Sequence, residues 1–242
     1  ASYFVEGYIK CGDSFVSNVV ITGGNSSTKS DLLGYFKLDD LSETTTIQFA
    51  LNGYNIANSE VSGYLSIEKQ SSYIVSGIIK NGTKAIPDVE VFVNNSLMAK
   101  TNNVGEFVID NLAGVNNISF NHTQYVIPRE NVSAPVLNKV FKATYTISGY
   151  VKLNNVGMEN VEVSAQGLTT KTGSNGFYSL SGLSGEGVLD VRLAGYSFVG
   201  SREFDSPKEL DFTAQYSIKG LVYSGNIKIA NAKISYDGSF VT

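Results

Sequence analysis

Apolar and polar residues alternate along this chain with a period of two, and they do so in the same way at several separate places. Residues 145 to 152 read YTISGYVK, where alternation sends Tyr145, Ile147, Gly149 and Val151 to one face and Thr146, Ser148, Tyr150 and Lys152 to the other. A half-buried β-strand carries that pattern. An amphipathic helix needs apolar residues at i, i+3, i+4 and i+7, and no stretch of the chain supplies a convincing stripe of that kind. The strand recurs as YFVEGYIK from Tyr3, YIVSGIIK from Tyr73 and YSIKGLVY from Tyr216, the last with Tyr216, Ile218, Gly220 and Val222 facing inward. An inward glycine stands at Gly7, Gly77, Gly149 and Gly220, which predicts close approach of a neighbouring side chain or backbone. VVI at 19 to 21, VEV at 89 to 91, VEV at 161 to 163 and AKI at 232 to 234 read as short strands in the same relative place. SNGFYSL predicts a turn and a further alternating strand, with Phe177 or Tyr178 and Leu180 as core residues.

These recurrences share one period. The opening tyrosines at 3, 73, 145 and 216 are separated by 70, 72 and 71 residues. GYFKLDDL from Gly34, GEFVIDNL from Gly105 and GFYSLSGL from Gly176 follow one another at 71, as do Tyr54, Tyr125 and Tyr196, and Lys29, Lys100 and Lys171. The chain therefore reads as three copies of one unit and the first 27 residues of a fourth, with boundaries at 1–72, 73–144, 145–215 and 216–242. Each copy is long enough for about seven short antiparallel strands around one sandwich core. The copies meet across only KQSS, KAT or TAQ, and all four prolines (Pro87, Pro128, Pro135, Pro207) fall inside copies. Joints this short predict a beaded, semi-rigid array. Half a sandwich cannot bury its core, so the fourth copy is expected either to continue in a longer natural chain or to be completed by strands from another chain.

The residues that recur resemble a known family. The order ISG-V, V-V, KT, NG-F-L and GY, seen in YTISGYV, VEV, TKTGSNGFYSLSGL and AGY, is similar to that of the carboxypeptidase regulatory-like domain, across essentially the whole chain. The resemblance implies an all-β fold, a tandem array of Ig-like or transthyretin-like seven-stranded antiparallel β-sandwiches. In that family such modules serve as tandem spacers in secreted or surface proteins, as accessory domains beside a catalytic one, or as the luminal arrays of nodal modulator proteins.

Composition narrows the function. A net charge of −4 with no basic cluster leaves no electrostatic footprint for nucleic acid. No apolar run is long enough to span a bilayer as a helix. The numbering opens at Ala1 directly on the first strand pattern, as a processed or trimmed chain would. Cys11 is the one cysteine, so no disulfide framework holds the copies together. Its equivalents are Asn81, Leu153 and Ser224, which reads as a turn residue after the first strand, with a nucleophile or an intermolecular bridge as the alternative.

Reactive constellations are sparse. His122 is the one histidine, and its neighbours NHTQ correspond to RLAG in the third copy, so a catalytic triad has no recurring support. One histidine and one cysteine do not make a zinc cluster. Asp39 and Asp40 correspond to Asp110 and Asn111, then to Ser181 and Gly182, which reads as a solvated turn more readily than as a calcium loop. Lys10, Lys80 and Lys152 end their strands where an intramolecular isopeptide would start, yet YLSIEKQ, KVFKAT and ELDFTAQ supply no asparagine acceptor. Tyr8 and Tyr150 face outward where a sugar-stacking platform would lie, but Ile78 and Leu221 replace them elsewhere. Six Asn-x-Ser/Thr sequons, at Asn25, Asn81, Asn94, Asn117, Asn121 and Asn131, are glycosylation candidates, and five of them fall in the second copy.

Together these readings predict a non-enzymatic extracellular repeat protein, a stalk, filament or surface-layer component. No catalytic, cofactor-binding or metal-ligating residue is assigned. The expected partners are neighbouring copies of itself or other surface proteins, with glycans as a further class. The alternatives are a carbohydrate-binding or accessory segment of a larger secreted enzyme, and a scaffold in the lumen of the endoplasmic reticulum.

Overall fold

The structure is a computed structural model that describes residues 1–216, 220–236 and 239–241. Every regular element among the described residues is a strand or an isolated turn, so the chain is all-β. It divides into two compact units, one made of Ala1–Thr146, Ser181–Glu186 and Asp205–Pro207, the other of Ile147–Leu180, Gly187–Phe204 and Lys208–Thr242.

In the first unit the strand Tyr3–Cys11 alternates buried and outward residues as its sequence dictates, with Val5, Gly7 and Ile9 inside and Cys11, expected in the turn, closing the strand as a further inward residue. It pairs antiparallel with Tyr35–Leu41 and parallel with the front of Leu65–Asn81. A second sheet, Ser26–Lys29, Val20–Gly23, Thr45–Ala50 and Ser59–Val61, supplies Ile21, Ile47, Phe49 and Val61 to the core. Residues 73 to 142 rebuild the same two layers. The rear of Leu65–Asn81 pairs with Glu106–Leu112 and with Val136–Lys142, opposite a sheet of Ser96–Lys100, Glu90–Val93, Asn116–Asn121 and Glu130–Val132. Buried apolar side chains from Val5 to Ala143 form one continuous cluster.

The second unit holds Ile147 and Val151 in register with Lys208 and Phe212 and carries its own sheet of Leu168–Lys171, Glu162–Ala165 and Asp190–Arg192. Of the two aromatic core candidates, Tyr178 is buried with Leu180 while Phe177 faces out. Two hairpins, Tyr223–Ser224 with Ile227–Lys228 and Ile234–Tyr236 with Ser239–Val241, follow. Of the expected lead strand of the fourth copy, residues 217 to 219 lie outside the described residues.

One feature departs from a purely antiparallel expectation. The strand that leaves a copy runs parallel to the strand that opened it, in the first, second and third copies alike. Because Leu65–Asn81 carries straight on from the first copy into the second, the opening strands of these two copies run in the same direction. The inward glycines of the first three copies make this pairing possible, whereas Gly220 is exposed, with nothing described within 4 Å of its Cβ position. A Cβ on Gly7 would stand 1.9 Å from Ile67 O, on Gly77 2.6 Å from Lys139 O, and on Gly149 2.1 Å from Leu210 O.

Candidate functional site

The feature that distinguishes this chain from a set of independent beads is how one copy is fastened to the next, and two such joints lie inside the first unit. At the first, Leu65–Asn81 is a single strand of 17 residues that belongs to the sheets of both copies, so the KQSS segment is strand rather than linker. At the second, only Ala143 separates Val136–Lys142 from Thr144–Leu153, and its N–H donates to Lys80 O at 2.7 Å.

Within each copy the recurring tyrosine fixes a turn, and in the second and third copies that turn is the one that meets the joint. The Tyr3 hydroxyl reaches the carbonyls of Glu43 and Val61, at 2.6 and 3.0 Å. Tyr73 reaches those of Gly114 and Val132 at 2.9 and 3.2 Å, and the Tyr145 hydroxyl donates to Gly185 O. The acceptors are themselves spaced by 71 residues, and Glu43, Gly114 and Gly185 all sit at positive φ, so each tyrosine fastens the same tight turn. Asn116 adds to the second clamp by donating from Nδ2 to the Tyr73 oxygen at 2.8 Å. Burial pushes the Tyr73 phenol up, and pushes Tyr145 up to about 12.

Against that turn lies the end of the preceding opening strand. Cys11, 4% exposed, places Sγ 3.8 Å from Leu112 O, and a Cβ on Gly12 would come within 2.9 Å of Gly114 N. Asn81, 1% exposed, occupies the equivalent place with richer chemistry. Its Nδ2 donates to Ala143 O at 2.8 Å and to Leu183 O at 3.3 Å, while Gly185 N–H donates to its Oδ1 at 2.7 Å. Gly82 N–H donates to Ser184 Oγ at 3.0 Å, and Lys84 pairs with Asp205 at 2.7 Å. The exposed ion pair adds little; the buried amide, satisfied on both its oxygen and its nitrogen, is the specific element.

The lysine followed by Ser or Thr has its explanation one residue on. Ser30, Thr101 and Thr172 are buried hydroxyls that accept from the N–H groups of Val19, Val89 and Val161 and donate to the carbonyls of Val16, Ile86 and Met158. Each staples the short inner strand to the turn before it. The sequence period marks both the lysines and the Ser or Thr that follows each; the buried bonds of those hydroxyls are what the pattern does not show.

The reactive candidates are placed apart from one another. His122 accepts the Gln124 N–H at Nδ1 and packs its ring edge against Tyr125. Asp39 pairs with Lys37 at 2.8 Å on the surface, and Lys10 pairs with Glu68 at 2.8 Å. Among the described residues no group of three His, Cys, Asp or Glu could hold a metal, and no helix is long and apolar enough to cross a membrane.

The sequons divide. Asn25, Asn94, Asn121 and Asn131 are exposed and Asn117 is half-buried. Asn94 sits in a two-residue turn with Asn95, both at positive φ, and its Oδ1 accepts from Asn117 N–H at 2.8 Å. Asn117 faces Asn131 across the sheet, with Nδ2 to Oδ1 at 2.8 Å, and Asn121 donates to Glu90 at 2.8 Å. Asn81 does not fit the expectation of a sugar-bearing asparagine. Its amide is enclosed in the joint and its nitrogen is committed to two carbonyls, so a glycan there requires the joint to open.

No family model matches the chain. It is 29% identical over 189 residues to chitinase ChiA of Flavobacterium johnsoniae, in an alignment covering 66% of this chain and 12% of that protein. The chain thus spans about an eighth of that relative's length. Among solved structures it is similar to the Bacillus anthracis TIE protein (TM-score 0.31, 13% identity, 90% of this chain and 51% of that one). It is also similar to BcpA, the major pilin subunit of Bacillus cereus (TM-score 0.30, 9% identity, 90% and 100%).

Proposed function

We propose that this chain is a non-enzymatic extracellular spacer, a run of transthyretin-like β-sandwich copies that holds other parts of a larger secreted or surface protein at a fixed separation. The observation that carries this reading is the repeated joint. Two successive copies share one uninterrupted strand, the turns held by Tyr73 and Tyr145 each meet the end of the preceding copy's opening strand, and a continuous apolar cluster runs through the first two copies. A chain that only needed to tether its ends would use a flexible linker and would not bury polar groups at the seam. The four proposed units are those of the sequence period, 1–72, 73–144, 145–215 and 216–242.

A second reading refines the first: the spacer is an accessory segment of a secreted glycan-degrading enzyme whose catalytic domain lies elsewhere. The likeness to a stretch of a chitinase about eight times longer than the aligned part favours it. In either case the chain itself performs no chemistry.

Limited trypsin digestion of the full chain tests the spacer reading. Lys69 and Lys80 lie within the shared strand, and Lys69 Nζ donates to Ser59 Oγ at 2.9 Å. Peptide bonds after both should survive digestion that trims exposed turns. Early cleavage after Lys69, releasing the first copy, would contradict it.

A further inference from the structure

The outward face of the first strand differs from its counterparts in a way the fold does not require. Alternation points Phe4, Glu6, Tyr8 and Lys10 away from the core. Tyr35 and Lys37 lie opposite Tyr8 and Glu6 on the adjacent strand, and Phe15 lies opposite Lys10 on the other side of the turn. Tyr64, just ahead of the parallel strand, stands edge-on to Phe4 with centroids 4.7 Å apart. Tyr8 packs at 5.4 Å from Tyr35 and 6.0 Å from Phe15. Despite these contacts Tyr8, Phe15 and Tyr64 remain 43%, 47% and 60% exposed. The rings run along one strand, and Phe4 and Tyr8 are about 13 Å apart at the usual rise per residue.

At the centre of this line the Glu6 carboxylate is held from both sides. Tyr35 donates to Oε2 at 2.7 Å and Tyr64 donates to Oε1 at 3.2 Å. The bond to Glu6 pushes the Tyr35 phenol up to about 12, so it stays a donor at any physiological pH. An ionised carboxylate offers about four lone-pair sites. Two are taken, so Glu6 is fixed in orientation with acceptor capacity to spare, and Lys37 Nζ stands over the Phe4 ring at 4.3 Å as a neighbouring donor.

The other copies serve as internal controls. By the period of the chain, Phe4 becomes Ile74 and Thr146, Glu6 becomes Ser76 and Ser148, Tyr8 becomes Ile78 and Tyr150, Tyr35 becomes Glu106 and Phe177, and Tyr64 becomes Pro135 in the second copy, so the third copy keeps one aromatic pair, Tyr150 with Phe177 at 5.4 Å, without the carboxylate or the ring at the Phe4 position. The sandwich forms without the aromatic line, so folding does not account for its presence in the first copy. Large apolar surface left exposed in this way marks a binding face.

We propose that this face is a carbohydrate-binding strip for a linear, uncharged polysaccharide. Sugar rings present C–H faces that stack on Tyr8, Tyr64 and Phe15, and hydroxyls that donate to the free lone pairs of Glu6 and accept from Lys37. A line of rings with a pre-oriented acceptor between them suits a chain of repeating units better than the compact, charge-depleted core of a protein interface. The proposal stands apart from the spacer reading, since a flexible tether could carry the same strip.

The test is native affinity electrophoresis of the full chain, whose net charge of −4 carries it toward the anode, through gels containing glycol chitin, hydroxyethyl cellulose or soluble starch. At least one of these should retard the protein. Tyr8→Ala and Tyr64→Ala should each weaken that retardation roughly tenfold in apparent Kd, on the scale of losing one well-stacked ring. Glu6→Gln, which keeps the shape and removes the charge, should weaken it as well. Tyr150→Ala, which removes an outward tyrosine from the third copy, should leave it unchanged. Absence of retardation in all three gels overturns the proposal, as does retardation that the Tyr8 and Tyr64 variants retain. A dimer in sedimentation velocity that Tyr8→Ala abolishes would also overturn it, by assigning the face to a second copy of the chain.

Discussion

The side-chain oxygen of Asn81 accepts the backbone N–H of Gly185 at 2.7 Å, across 104 residues of sequence. With the two carbonyls reached by Asn81 Nδ2, this bond turns the end of one copy's first strand into a socket for a turn in the copy that follows. Cys11 fills the equivalent place one joint earlier with a single long contact to Leu112 O. The two joints share a geometry and differ in polarity.

Removing the Asn81 amide should therefore cost more than removing the Cys11 thiol. Asn81→Leu strands the Gly185 N–H and the Ala143 carbonyl in a buried place, and an unsatisfied buried group costs about 1–3 kcal/mol. Cys11→Ala loses a small apolar group and a weak contact. Urea unfolding of both variants should show the larger loss in Asn81→Leu, and equal midpoints would mean that the amide network contributes nothing.

Buried thiols react slowly. Cys11 is enclosed at its joint, so an aromatic disulfide reagent should leave the native chain unmodified and titrate one thiol only in denaturant. Rapid reaction in the native state would show that the joint opens.

The inward glycines should be intolerant for a steric reason. Gly7→Ala and Gly149→Ala place a methyl group within about 2 Å of a carbonyl oxygen on the parallel strand, with overpacking typically costing about 1–3 kcal/mol or more. Gly63→Ala is the control, because nothing lies within 4 Å of its Cβ position and its φ is not in the left-handed region. That substitution should be neutral or slightly stabilising. Thermal midpoints of the three variants decide the matter.

Alkali should destabilise the fold through its buried phenols. An unfolded tyrosine ionises near pH 10, whereas burial holds Tyr145 protonated to about 12. Below pH 10 both states keep the proton and the contribution is fully present. Between pH 10 and 12 the unfolded chain releases it and the folded chain does not, so stability falls as pH rises. Tyr145→Phe should be less stable at pH 8 and show a shallower loss between pH 10 and 12. A slope identical to the parent would contradict the role given to this phenol.

If the chain is made in a host that glycosylates sequons, a glycopeptide map should find sugar among Asn25, Asn94, Asn121 and Asn131 and none on Asn81. Occupancy of Asn81 would require the second joint to be open when the sugar is added.

Much of the fold could be read from the sequence because the signal was periodic. Alternation placed Val5, Ile147 and Val151 inside, and the repeated spacing of Gly34, Gly105 and Gly176 marked turns that the structure places against Ile9, Ile79 and Val151. The parallel pairing was not legible, since alternation is the same in either direction and only the path of the chain chooses between them. The work of Tyr3, Tyr73 and Tyr145 was hidden for a related reason. Their rings read as core, but the carbonyls their hydroxyls meet lie 40 or more residues away and leave no residue-type trace. The Glu6 line was half visible: Tyr8 was recognised as outward, while Tyr35 and Tyr64 join it only through strand pairing and a turn.

The central claim is that successive copies are fastened by shared strand and buried clamp. Native-state hydrogen exchange tests it most directly, at the joint amides of Ile74, bonded to Gly53 O at 2.9 Å, and Ala143, bonded to Lys80 O at 2.7 Å. Both should be protected as strongly as the interior amides of Ile9 and Ile79, opening only with the copies themselves. Exchange at Ile74 and Ala143 as fast as in exposed turns would show independent beads on a flexible string, and would contradict the account.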